Sequence, residues 1–231
     1  MSDWISFYDF KHSVIYVNAR HRDVHYRTIA GDIRAYVPSP TASVLDYGCG
    51  EATSADLLAG TCGHLTMVEA APNVRAALKA RHEGNPKISV LTPEEAAALP
   101  AGSFDLIVLH SVAQYLGAAE LDRLLKIFRA LVKPDGLVVI GDVVPPNLAA
   151  PAAALALLRF AIANGFFWAA VGGLMRIFVS DYLRLKKTVG MSHYDAAAML
   201  EKLKSAGYAA QRAPRNIGHN PWRMTFLARP A

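Results

Sequence analysis

Five short apolar runs, separated by segments of helical periodicity, restrict most strongly what this chain can fold into. They are Val44–Tyr47, Leu65–Val68, Ile88–Leu91, Phe104–Leu109 and Leu137–Ile140. Each is rich in Val, Ile or Leu, as a strand buried on both faces must be. Between the last two, Leu121, Leu124, Leu125, Phe128, Leu131 and Val132 recur at helical steps and predict one buried helix face from Ala119 to Val132. Pro134-Asp135-Gly136 then predicts a turn into the fifth strand. Strand and helix in alternation give an α/β, doubly wound, mostly parallel sheet. Its ligands bind beyond the carboxyl ends of the strands. Tyr208–Arg212 and Trp222–Leu227 read as an antiparallel pair that brings the sheet to seven strands.

The chain has 231 residues, and the expectation is one domain in four parts. Residues 1–42 form a helical cover of two helices stopped by Pro38 and Pro40, and 43–143 form the ligand-binding core. Residues 144–190 form an apolar helical insertion after the fifth strand, with a break between helices at Gly165. Residues 191–231 supply a last helix and the antiparallel pair. In that helix Ser192 reads as the N-cap, with Asp195 three residues on, and Gly207 ends it.

The first strand runs into Asp46-Tyr47-Gly48-Cys49-Gly50-Glu51-Ala52. Two glycines there allow a tight turn and close approach to a ligand, and the following helix would aim its free N–H groups at the same place. A glycine turn serving only to join strand and helix would look alike. Glu69 ends the second strand, nineteen residues after Gly50, where a carboxylate can accept both hydroxyls of a ribose. A dinucleotide fingerprint needs glycine at 53, and Thr53 stands there, which weakens a nicotinamide oxidoreductase reading.

These residues resemble the first motif of class I S-adenosylmethionine-dependent methyltransferases. The resemblance extends from about Val44 to Asp142 and includes Glu69, the Thr92–Pro100 loop, Ser103–Ser111 and the Leu131–Leu137 turn. It implies a Rossmann-like fold, S-adenosylmethionine as cofactor and methyl transfer. It implies that Asp46, Gly48, Cys49 and Gly50 lie along the cofactor, with Asp46 at its cationic methionine end. It also implies that Glu69, beside Ala70, holds the ribose, that Glu95 (with Glu94 as rival) and Ala96 face the adenine edge, and that His110 lines the site near the methyl group. Ala52 replaces a common glycine, which suits the turn unless the backbone there needs positive φ.

On the acceptor side, His110 and His219 are the candidates for a general base, because imidazole titrates near neutrality. A plainer role stands beside each: His110 as a rim residue touching the cofactor through its backbone, His219 as the cap of a turn. Asp142 is read as a substrate-side carboxylate. Tyr16, Arg20 or Tyr26 could reach over the ligand from the N-terminal helices, or simply belong to a packed cover with a solvated face. No metal-ligand spacing occurs, and a metal-assisted transferase would rest on Asp142 alone. Cys49 and Cys62 are too few to staple the fold, so reduced thiols in a cytoplasmic setting are expected. Residues 1–20 carry Asp3, Asp9, Lys11 and Arg20 and do not read as a signal peptide.

Val143 to Met175 is almost wholly apolar, but its longest uncharged run, Phe160–Met175, has sixteen residues, short of the ~20 a spanning helix needs. These helices could pack on the core, cover an apolar substrate, or lie on a membrane with help from Arg176, Arg184, Lys186 and Lys187. The expected acceptor is a small, apolar or lipid-like molecule, with peripheral membrane contact through 150–187 as an option. The competing class is a non-catalytic cofactor-binding or membrane-surface module. Nucleic acid is not expected as a partner, because the net charge of +5 is not gathered into a basic stripe.

Overall fold

The computed structural model describes residues 3–11, 16–177 and 191–231. Seven strands, β1 (Ser43–Tyr47), β2 (His64–Val68), β3 (Ile88–Leu91), β4 (Phe104–His110), β5 (Val132–Val143), β6 (Tyr208–Arg212) and β7 (Met224–Pro230), form one sheet in the order β3-β2-β1-β4-β5-β7-β6. β1 to β5 pair in parallel, and β7 is antiparallel to both its neighbours. The strand order reverses between β1 and β4, which opens a crevice at their carboxyl ends. β6 therefore runs parallel to β5, and the loop after it falls on the same edge as that crevice.

Nine helices pack around the sheet: α1 (Asp3–Lys11), α2 (Ala19–Arg34), α3 (Ala55–Ala59), α4 (Pro72–Arg81), α5 (Pro93–Ala97), α6 (Ala118–Leu131), α7 (Ala150–Asn164), α8 (Phe167–Ile177) and α9 (Ala196–Ser205) among the described residues. One face of the sheet is covered by α6 and α9 through Leu121, Leu125, Phe128, Met199 and Leu203, all fully buried. The other is covered by α2, α3 and α4 through Ile33, Leu58 and Leu78. α1 docks by supplying a cap to another helix. Asp9 accepts bonds from the Asn73 N–H (2.6 Å) and Nδ2 (2.9 Å), in the first turn of α4, whose own N-cap Ala71 has no side-chain acceptor.

The strand before the insertion departs from expectation. β5 begins at Val132, and Pro134-Asp135-Gly136 forms a bulge within it instead of a turn before it: pairing jumps from Phe104–Val132 to Leu106–Leu137. Pro134 has no N–H to give the ladder, so the strand can include it only where pairing lapses. Ser192 is not an N-cap. Its hydroxyl donates to the Leu116 carbonyl (2.6 Å), and Asp195 caps α9 by accepting the Ala198 N–H (2.8 Å). α3 is a helix of five residues that starts at Ala55, so the glycine turn leads first into a short loop.

The insertion is the expected pair of helices. Gly165 sits at φ +73 and closes α7, with the Phe166 N–H bonded back to the Ala161 carbonyl (3.0 Å). Arg20 donates to the Asn164 carbonyl and lies over Gly165. Phe178, Arg184, Lys186 and Lys187 lie outside the described residues.

Candidate active site

The glycine turn crosses the end of β2, with the Gly48 and Cys49 N–H groups both donating to the Val68 carbonyl (2.7 and 3.2 Å). Gly48 has φ +75, and a Cβ there would lie 2.4 Å from Val112 Cγ2. Gly50 has φ +61, and a Cβ would lie 2.7 Å from the Tyr26 hydroxyl. Both positions therefore need glycine for conformation and for space. Ala52 stands at φ +40, so the backbone does need positive φ at that position. The other non-glycine residues with positive φ among the described ones are Ser111 (+58) and Asp142 (+63). All three border the carboxyl edge of the sheet, where backbone strain tends to accompany ligand sites.

Two carboxylates flank the turn in different ways. Asp46 has no hydrogen-bond or ion-pair partner among the described residues, and burial, with the Glu69 charge nearby, pushes its carboxyl up to about 7. Glu69 is buried and accepts the Gly50 N–H on one oxygen (2.9 Å) and the Ala71 N–H on the other (2.8 Å). It pins the turn, and each oxygen still has an acceptor position free for a hydroxyl. Ala70 is half-buried, its carbonyl bonded to Arg75 (3.0 Å). Cys49 is a buried free thiol that burial holds well above its usual range, and Cys62 is also free and buried.

Glu95 has a local structural task beside the adenine-edge role that the resemblance implies. It closes a capping box on α5, accepting the Thr92 N–H (2.7 Å) while its own N–H bonds to Thr92 Oγ1 (3.1 Å). Glu94 is exposed and Ala96 is buried. Arg20 is redirected: it is exposed and caps the carboxyl end of α7, where a cation suits the helix dipole. Tyr16 does reach over the turn. Its hydroxyl donates to Tyr26 (3.1 Å), which accepts the Glu51 N–H (2.9 Å).

Asp142 is fully engaged within the protein. It accepts bonds from Ser111 Oγ, an Arg223 guanidinium N–H and Asn216 Nδ2, and its N–H donates to Asn216 Oδ1 (3.1 Å). Burial opposes its charge, but Arg223, His110 and these hydrogen bonds prevail and hold the carboxyl at about 2. Its work is to fasten the loop after β6, and it is not a free carboxylate for substrate. Asn216 and the Gly218–Asp32 bond (2.8 Å) fix the same loop against α2.

That loop and α2 bring four imidazoles together. His219 lies 6.0 Å from His25 and 6.4 Å from His21 between ring centres, and the His25 ring centre is 6.0 Å from that of His21. His110 is buried beneath them, its Nε2 3.4 Å from the Ile217 carbonyl. Donation in that contact leaves Nδ1 as the acceptor. Burial lowers all four: His21 to about 4, His25 well below its usual value, His110 and His219 downward. Burial thus favours the uncharged form throughout the cluster. His21 Nδ1 accepts the Val17 N–H (3.3 Å), which puts its proton on Nε2, a buried atom with no partner among the described residues. α7 and the segment that joins it to α8 roof the group: Phe160 stacks on His219 (4.5 Å) and Phe166 on His21 (5.0 Å). Among the described residues no cluster of His, Cys, Asp or Glu is arranged to hold a metal ion.

His21 and His25 were not singled out by their sequence. Their spacing of four places them on one helix face, but the surrounding Arg20, Arg22, Asp23 and Arg27 make that stretch read as solvated.

An unpartnered carboxylate beside a glycine turn, and a second carboxylate with free acceptor positions at the end of β2, fit a ligand with a cationic end and a ribose. Together with the sheet order they suit a nucleoside ligand at the carboxyl edge of an α/β sheet. Residues 45–140 match a family model described as a methyltransferase domain. The match takes in the ligand-binding core from β1 into β5, and that core is therefore similar to a methyltransferase domain. Solved structures similar in fold include YcgJ from Bacillus subtilis (14% identity, 81% of this chain and 70% of that one, TM-score 0.57). DhpI solved with SAH is another (14%, 98% and 95%, TM-score 0.62), as is the mitomycin 7-O-methyltransferase MmcR (17%, 99% and 61%, TM-score 0.62). No curated protein matches the sequence.

Proposed function

We propose that the protein is an S-adenosylmethionine-dependent methyltransferase and that it acts on a small, largely apolar or lipid-like acceptor held beneath the α7–α8 pair. The observation that carries the reading is the stacking of Phe160 and Phe166 on His219 and His21. It sets a roof of aromatic rings over uncharged imidazoles at the carboxyl edge of the sheet. Such a lining suits an apolar body bearing few polar groups. MmcR, named as a mitomycin 7-O-methyltransferase, is a fold neighbour serving a small molecule.

The bound cofactor supplies an activated methyl group on a sulfonium. Asp46 would hold the cationic methionine end and Glu69 the ribose, with Gly48, Cys49 and Gly50 alongside and Ala96 towards the adenine. In this reading His110 and His25 would accept a proton from an acceptor that arrives protonated, and the His21 Nε2–H would donate to an acceptor oxygen. The roof excludes water from the transfer. Arg223 and Asn216 act at a distance by holding Asp142 and the His219 loop.

The test is incubation of enzyme with methyl-labelled S-adenosylmethionine and separate lipid, small-molecule, protein and nucleic-acid fractions. Label should enter the organic-soluble fraction, and His25→Ala should slow its transfer. Label found only in protein or nucleic acid would overturn the proposal. Cofactor binding without transfer to any fraction would favour a non-catalytic module.

A further inference from the structure

The inner faces of α7 and α8 are accounted for by the roof, but their outer faces are not. On α7, Leu155, Arg159 and Ile162 share the side opposite to buried Ala156 and Ala161; on α8, Trp168, Gly172 and Met175 lie opposite to buried Ala170 and Gly173. Of the six exposed large hydrophobic side chains among the described residues, four belong to these two stripes: Leu155 (41% exposed), Ile162 (65%), Trp168 (82%) and Met175 (71%). Leaving them in water is unfavourable by tens of calories per mole for each Å², so the surface asks for an occupant.

The charge pattern selects that occupant. From residue 143 to 177 the sequence contains no Asp or Glu, and its charged residues are Arg159 and Arg176. Arg159 is exposed between Leu155 and Ile162, and exposed Arg20 stands at the joint of the two helices. Apolar stripes flanked by arginine with no carboxylate match a surface that is anionic outside and apolar within. No helix among the described residues is long and apolar enough to cross a membrane, so the pair lies on such a surface instead of spanning it. From these observations we infer that the outer face of α7 and α8 docks on an anionic membrane. Resting on the acceptor class proposed above, this delivers a lipid-like acceptor from the bilayer to the roof.

The test is co-sedimentation with vesicles of phosphatidylcholine alone and of phosphatidylcholine mixed with phosphatidylglycerol. The protein should sediment with the mixed vesicles and shift its tryptophan emission to the blue. Trp168→Phe should keep the sedimentation and lose the shift, since Trp4 is buried and Trp222, though exposed, belongs to neither α7 nor α8. Ile162→Ser with Met175→Ser should lower partitioning at least roughly tenfold, since burying one large apolar side chain is worth about that. Arg159→Glu should weaken binding to the mixed vesicles only. S-adenosylmethionine affinity without vesicles should be the same in all variants, which reports that they are folded. Wild-type protein that ignores mixed vesicles, or a double variant that sediments like wild type, overturns the inference. So does a concentration-dependent dimer abolished by the double variant, because the face would then belong to a second copy. Vesicle binding without any S-adenosylmethionine binding would remove the methyl-transfer reading and leave the docking in place.

Discussion

Asp46 should make the cofactor-free protein less stable than it could be, and the cost should depend on pH in a specific way. Burial and Glu69 raise its carboxyl from 3.8 to about 7. A raised folded value means that the folded state binds the proton more tightly than the unfolded chain. The carboxyl therefore costs nothing below about pH 4, costs progressively more as pH rises, and reaches its full cost above about 7. At about 1.4 kcal/mol per pH unit the full cost is roughly 4 kcal/mol. That is an upper figure, because Asp46 keeps some contact with solvent. Asp46→Asn removes the ionisable group at nearly constant shape. Urea unfolding of both proteins should show the variant gaining on wild type by about 2–3 kcal/mol between pH 5 and pH 8. Any fixed effect of the amide cancels in that difference. A gap independent of pH would refute the reasoning and show that Asp46 is already paired or well solvated. The same variant should bind S-adenosylmethionine more weakly, so stability and function pull in opposite directions at this residue.

Other outcomes follow from the same geometry. Glu69→Ala should raise the cofactor Kd roughly a hundredfold by calorimetry, since hydrogen bonds to a charged group contribute about 1.5–3 kcal/mol each, and should also loosen the turn by orphaning the Gly50 and Ala71 N–H groups. Gly48→Ala should cost about 2–4 kcal/mol in urea unfolding, combining a left-handed backbone with the clash on Val112. Asp142→Ala should cost about 3 kcal/mol by removing the buried carboxylate that Arg223, Ser111 and Asn216 share. Because Asp142 is held at about 2, its stabilisation is complete above pH 4 and disappears as pH falls through 2, so the wild-type advantage should shrink in acid unfolding.

What the sequence disclosed was local and periodic. The α6 stripe shows because every third or fourth residue is Leu, Phe or Val, and all of Leu121, Leu124, Leu125, Phe128 and Leu131 are buried. The glycine turn shows because its backbone conformation demands those residues. Gly165 breaks the insertion for the same reason. Polar residues were harder, because their roles depend on partners distant in the chain. Asp142 looked like a free carboxylate until Arg223, eighty-one residues later, was seen to pair with it. Arg20 looked ready for a ligand, but the carboxyl end of α7 lies beside it. His21 and His25 face inward from a helix whose neighbouring charges read as solvated, and only the fold brings His110 and His219 to them. Pro134-Asp135-Gly136 has turn composition but occupies a bulge, because β4 pairs on both sides of it.

The central claim is that Asp46 and Glu69 hold S-adenosylmethionine at the glycine turn, and calorimetric titration tests it most directly. Titrations at pH 6 in two buffers of different ionisation enthalpy should show one cofactor per chain and release of close to one proton, as the cationic ligand draws Asp46 below its value of about 7. The affinity should rise about fivefold from pH 6 to 7, gain about twofold more above 7 and then level off. Folded protein that takes up no S-adenosylmethionine, or takes it up with no proton release at pH 6, would contradict the account.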